Sequence, residues 1–295
     1  MLSAIPSHPT TAMHAYADIP QLIAQCKNFT LAKLEPRRSL HMASWQEEWD
    51  DQLAMLDSLT QEAAYGESID AMDADTLQDA CLQWENAAQT ASTLLRLAVD
   101  RGVPAPALRN MYGQVVSVWH AYAQVLQHAR EAGFAPTPQA IRPETAEYQF
   151  ALQLLCLGVL LDEEGEIPAI VEHLLHARTD RLLDYLSAAA IDLQEASDGY
   201  FHPQPFEGLN DFLDQYGEVL PDPLLPYLVQ HYSRFFALPP SAQTNHARLT
   251  GPQAWGWWAW EVGALVALYG LDDSALREHP HYPADLVDYA LGLRD

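Results

Sequence analysis

Residues 108–130 read LRNMYGQVVSVWHAYAQVLQHAR, and this stretch decides the fold class. Met111, Val115, Val118, Tyr122 and Val125 recur at steps of three and four, so one face of an α-helix carries them all. Gly133 follows as its stop. The same period runs outward both ways. Ser44-x-x-Glu47 is a capping box that predicts a helix to about residue 65, with Trp45, Trp49, Leu53 and Leu56 on one stripe. Asp75-x-x-Gln78 predicts a second start, running through Leu94 and Leu97 to Gly102. Downstream, helices are expected from Pro143 to about 161, then over 167–177, 180–196, 206–216, 223–237, 254–269 and 284–292. Asp222-Pro223 places a cap and a first-turn proline before one of them. No β alternation of useful length occurs. The expected fold is all-α, a bundle of antiparallel helices.

The segment FAPTPQAIRPE (134–144) holds three prolines, which break helices. It predicts a boundary between a smaller N-terminal helical part, 1–138, and a larger C-terminal one, 139–295.

Forty acids against fifteen bases leave a formal charge of −25 over 295 residues. Such a chain repels nucleic acid and anionic membrane, and its natural partner is basic. Lys27 and Lys33 are the only lysines, which excludes a catalytic lysine deep in the chain. The opening MLSAIPSHPTTAMHAY lacks a basic start and an apolar run, so no signal peptide is expected. The apolar stretches 152–161 and 255–270 are too short for a bilayer, which takes roughly 20 residues. Cys26, Cys81 and Cys156 lie far apart, as three reduced thiols in a cytoplasmic protein would.

Motifs for chemistry are missing. There is no G-x-G-x-x-G, no phosphate loop with its lysine, no G-x-S-x-G, no H-E-x-x-H and no C-x-x-C. Glu172, His173 and His176 come nearest to a helical metal site. Glu172 and His176 are four apart rather than three, and no second copy exists, so a partly exposed helix face is expected there. No cofactor or metal is expected, and no catalytic residue is assigned. Charge is uneven: 162–222 carries fifteen acids against Arg178 and Arg181. That pattern suits either solvated helix faces or a docking surface for a basic protein.

The C-terminal segment WGWWAWEVGALVALYGLDDSALREHPHYPADLVDY (255–289) is the most distinctive. Its first helix is apolar almost all round, which predicts burial. Glu261 sits inside that helix and must meet a donor, so a structural role is expected. Gly270 closes the helix, and Asp272 or Asp273 caps the next turn.

Trp258-Ala-Trp260-Glu261, then Gly270-Leu-Asp272-Asp273-Ser274, then His279-Pro-His-Tyr282-Pro283-x-Asp285-Leu286 resembles the C-terminal signature of the PoNi family. These are immunity proteins against PoNe polymorphic DNase toxins of bacterial secretion systems, type VI secretion among them. His281 stands where the family has the first tyrosine of its Y-Y-P close. The resemblance implies an antitoxin, not an enzyme, that sits in the cytoplasm and covers the active site of its cognate toxin. It implies a structural role for the signature residues. Toxin contacts are therefore sought in the charge map: Asp162, Glu163, Glu164 and Glu166 of the turn DEEGE, with Asp198, Asp211 and Asp214. Two rival readings are an all-α metal-dependent hydrolase and a helical adaptor that binds peptides in an apolar groove.

Overall fold

The computed structural model describes residues 12–61, 72–134, 139–177, 180–193, 195–215, 219–234 and 256–294. It is all-α, with no strand among the described residues. Among the described residues, four α-helices form the N-terminal part: α1 (Ala12–Asn28), α2 (Met42–Leu59), α3 (Ala74–Arg101) and α4 (Ala105–Glu131). Only Gly102, Val103 and Pro104 join α3 to α4, so the chain reverses and the two pack side by side, with α2 against α3 and α1 against α4. Met111, Val115, Val118, Tyr122 and Val125 are all buried, as their spacing predicts.

The C-terminal part wraps α5 (Tyr148–Leu160), which is apolar all round and buried along almost its whole length. Around it lie α6 (Arg181–Ser187), α8 (Trp260–Tyr269) and α9 (Ala284–Arg294). α7 (Leu224–Arg234) packs on the short turns over Pro203–Phe206 and Glu207–Leu209. One contiguous buried cluster runs from Ile19 in α1 to Ala290 in α9.

Helix ends differ from the sequence expectations for local reasons. α2 starts before Ser44, because the His41 side chain accepts the Ser44 N–H. α2 also stops at Leu59, and 62–65 fall outside the described residues. α3 is capped by Asp73 rather than Asp75: Asp73 Oδ1 takes the Thr76 N–H at 2.9 Å. α5 begins at Tyr148, not Pro143, because the Glu147 carboxylate captures the Arg142 N–H at 2.8 Å and fixes a turn there. The expected helix 167–177 is a single α-turn, Ile167–Ala169, running into a π-turn, Ile170–Leu174. His176 and Ala177 then adopt left-handed φ of 52° and 55° and end it. The expected helix 180–196 stops at Ser187, and 206–216 breaks into three short turns over 203–213. α8 opens only at Trp260, since the Ala259 N–H is held by the His281 carbonyl at 2.9 Å.

Candidate functional site

The C-terminal residues singled out by sequence converge on the end of α3. Trp258 Nε1 donates to Asp100 Oδ1 at 2.8 Å, while Asp100 Oδ2 meets Arg38 Nη2 at 2.8 Å and Arg96 Nη1 at 3.5 Å. All four side chains are buried. Arg38 also lies over the Trp257 ring, 5.4 Å from its centre. Its neighbour Arg37 donates to the Val99 and Val103 carbonyls and to Asp285 Oδ2, at 2.9, 2.8 and 2.5 Å. An arginine that Asp285 orients thus grips one carbonyl in the last turn of α3 and one in the linker just after it.

The rest of the signature is equally occupied. Asp273 accepts from Tyr282 Oη at 2.8 Å and from Arg277 at 2.9 and 3.0 Å, and Arg277 reaches Asp288 at 2.5 Å. Asp272 takes the Ser274 N–H at 3.0 Å, so the cap expected at 272 or 273 is Asp272. Pro283 packs against α8 beside Gly263, and Trp260 is buried in that helix. Glu261 is fully buried; Tyr227 donates its phenol to Oε1, and His231 Nδ1 lies 3.1 Å from the same oxygen. His231 Nε2 faces the Gly256 carbonyl at 2.8 Å, and a carbonyl only accepts, so Nε2 carries a proton. These groups build a scaffold that ties the N-terminal helices to the C-terminal part.

The charge-map acids fall into two groups. In the turn 162–166, Arg109 contacts Asp162 Oδ2 at 3.3 Å and Glu163 Oε1 at 2.5 Å, and donates to the Asp162 carbonyl at 3.0 Å. Asp162, Glu163, Glu164 and Glu166 are all half-buried, and burial followed by the Glu163 charge pushes the Glu166 carboxyl above its usual range. Asp198, Asp211 and Asp214 are exposed. Arg181 holds one of these three: it pairs with Asp214, donates to Asn210 Oδ1 at 3.2 Å, and its backbone N–H bonds the Gly199 carbonyl at 2.8 Å. Sequence reasoning missed Arg37, Arg38, Asp100 and Arg109. The only sequence trace of the first two is the adjacent pair in LEPRR, in a chain with few bases.

Two family models match. Residues 14–135 match the PA2201 N-terminal domain-like family, and 178–286 match the C-terminal family of PoNe immunity proteins, PoNi. The chain is 42% identical to protein PA2201 from Pseudomonas aeruginosa and superposes on its crystal structure with a TM-score of 0.82, over 96% of this chain and 98% of that one. This chain belongs to the PoNi family. No curated protein matches it.

Among the described residues of this PoNi protein, two surface clefts each hold about 410 Å³ or more. One, about 670 Å³, runs between α2, α3 and the lead into α5, and amides and hydroxyls line it; Arg142 closes one side by pairing with Glu85 at 2.7 Å and with Glu147. The other, about 410 Å³, is lined by His120, Gln127, Arg130, Glu172, His173 and His176. Burial, then the neighbouring His173, lowers His120 to about 4. Among the described residues no three His, Cys, Asp or Glu side chains converge as a metal site. Burial raises the Cys26 thiol to about 12 and the Cys156 thiol well above its usual value, so neither offers a thiolate nucleophile at neutral pH. No described helix is long and apolar enough to cross a membrane.

Proposed function

We propose that this PoNi protein neutralises a PoNe nuclease toxin in the cytoplasm by direct contact, without chemistry of its own, laying an acidic surface over the toxin's basic DNA-binding face. The observation that carries this reading is the match of 178–286, which contains the whole C-terminal signature from Trp258 to Leu286, to the PoNe immunity family. Charge supports it independently. A nuclease gripping a phosphate backbone needs a basic surface, and a partner at −25 complements it and associates fast. In this reading the helical part over 139–295 carries the toxin-facing acids: Asp198, Asp211 and Asp214 as the exposed contributors, and the turn Asp162, Glu163, Glu164, Glu166 with a charge that Arg109 partly offsets.

The test is co-expression of the cognate PoNe nuclease domain, with and without the PoNi chain, followed by purification of both. Survival of the cells, intact plasmid DNA and a stable complex are expected. Protection without complex formation, or a complex that still cleaves DNA, would overturn the proposal.

A further inference from the structure

α7 carries an outward face that its packing does not explain. Leu224, Tyr227, Leu228 and His231 point inward and are buried. On the other side Val229 is 65% exposed and Leu225 37%, four residues apart on one stripe, and Leu220 just ahead of the helix is 49% exposed. An amphipathic helix on a protein surface carries polar groups there. Single exposed apolar residues are ordinary, but three within ten residues make a patch.

The patch is held rigidly. From below, Tyr227 and His231 are fastened to Glu261. At its edge, the Gln215 side chain clips the Leu220 backbone through two hydrogen bonds of 2.8 and 3.0 Å. Beside it opens a cleft of about 180 Å³ between Pro205, Gly208, Asp211, Pro226, Tyr227 and Gln230. The rim is acidic: Asp211 in the cleft wall, Asp222 between Leu220 and the helix, and Asp214 next to Gln215, all exposed, with Arg181 pairing only the last of them. No lysine or arginine occurs between Arg181 and Arg234.

We propose that this face of α7, with Leu220, Leu225 and Val229 as anchors inside the rim of Asp211, Asp214 and Asp222, is where the toxin docks, and that its counterpart is an apolar spot bordered by lysines and arginines. The proposal rests on the toxin-binding reading above and names its surface. A prefixed apolar centre inside a charged rim is the arrangement that gives tight complexes, because little ordering remains to be done on binding. The acidic rim selects a basic occupant over a second copy of this acidic chain, since two such rims repel.

The experiment uses the purified cognate PoNe nuclease domain, the intact wild-type chain, the double variant Leu225→Ser/Val229→Ser, and Leu82→Ser on α3, also exposed, as the apolar control. Association and dissociation rates are measured by surface plasmon resonance, with thermal midpoints confirming folding. The double variant should bind at least about tenfold more weakly, mainly through faster dissociation, while Leu82→Ser stays within about twofold. If wild type binds and the double variant binds equally well, the patch is idle and the proposal falls while the immunity reading stands. If wild type does not bind at all, both fall. Light scattering closes the remaining case: a wild-type dimer that the double variant abolishes, with toxin affinity unchanged, makes the face a self-association surface and overturns the proposal.

Discussion

Trp258 donates its indole N–H to Asp100 across 158 residues of chain, at 2.8 Å and out of contact with water. Asp100 is also the carboxylate that Arg38 and Arg96 share, so one acid satisfies three buried donors drawn from three segments. Asp100→Ala would leave two guanidinium groups buried without their carboxylate, a loss of about 3–5 kcal/mol. Trp258→Phe removes one donor and leaves Oδ1 short of a partner, a smaller loss of about 1–3 kcal/mol. Denaturant unfolding of both variants checks the order. Equal effects would mean that the ring rather than the hydrogen bond carries Trp258's contribution.

Glu261 is expected to be structural. Its Oε1 collects Tyr227 and His231, and it lies in the first turn of a helix that is buried from Trp260 to Ala267. Glu261→Ala strands both partners and should lower stability by about 3–5 kcal/mol. The double variant Glu261→Ala/His231→Ala should lose less than the two single losses added, because the removed groups share one interaction. A stable Glu261→Ala that fails to protect cells would instead place Glu261 at an interface.

Much of this was legible in the sequence, because helix period and burial are local properties. The stripe Met111, Val115, Val118, Tyr122 and Val125, the all-round burial of α5 and α8, and the enclosed Glu261 can each be read from consecutive residues. Helix ends were harder. Asp73 and Asp75 are both competent caps two residues apart, and only the fold of the chain around them selects Asp73. The partners of Glu261 lie 34 and 30 residues before it in a different helix, and no pattern links them to it. The acidic turn misleads for the same reason. Charge counting sees Asp162 and Glu163, but not Arg109, which α4 brings against them from more than fifty residues away.

Two helix-terminating glycines should respond differently to alanine. Gly102 and Gly270 both sit in the left-handed region, with φ of 88° and 60°. A Cβ at Gly270 meets nothing within 4 Å, so Gly270→Ala should cost only the backbone preference, about 1–2 kcal/mol. A Cβ at Gly102 would lie 1.9 Å from the Glu35 carbonyl oxygen, within the segment that Arg37 and Arg101 hold down. Gly102→Ala must displace that backbone as well and should lower the thermal midpoint considerably more. Similar midpoints for the two variants would show that the 34–38 segment yields freely.

Acid should weaken the protein through its buried imidazoles. Burial, then the nearby His231 and His279, lowers His281 to about 3, and His120 stands near 4, against 6.5 for a free imidazole. Between those values the unfolded chain binds a proton that the folded chain refuses. Their stabilising contribution is therefore full above pH ~6.5 and is lost as pH falls toward ~4, at up to ~1.4 kcal/mol per pH unit for each group. Buried Asp180 and half-buried Glu166, whose carboxyls are raised, act in the opposite sense and blunt the effect. His120→Gln/His281→Gln should accordingly lose less stability between pH 7 and pH 5 than wild type does. Urea midpoints at the two pH values decide it, and parallel losses would assign the acid sensitivity to other groups.

Toxin association should depend on exposed acids rather than on acids in general. Complementary charge acts mainly on the rate of encounter, and exposed pairs are screened over about 8 Å at physiological salt, so association should slow steeply with added salt while dissociation changes less. Asp198, Asp211 and Asp214 stand exposed, Asp214 against Arg181, whereas Asp162 and Glu163 are half-buried and share Arg109. Reversing Asp198, Asp211 and Asp214 to lysine together should cut the association rate at least about tenfold and relieve inhibition of DNA cleavage. Reversing Asp162, Glu163 and Glu164 should do less, because all three are half-buried and present less of their charge to a partner. Reversing Asp50, Asp51 and Asp75, exposed acids of the N-terminal helices, applies the same change in net charge far along the chain from the 162–222 run. Equal slowing by all three sets would mean that the whole −25 steers the encounter and no face is favoured. No slowing by any set would move recognition onto neutral and apolar surface and leave the acidity the work of keeping the protein in solution.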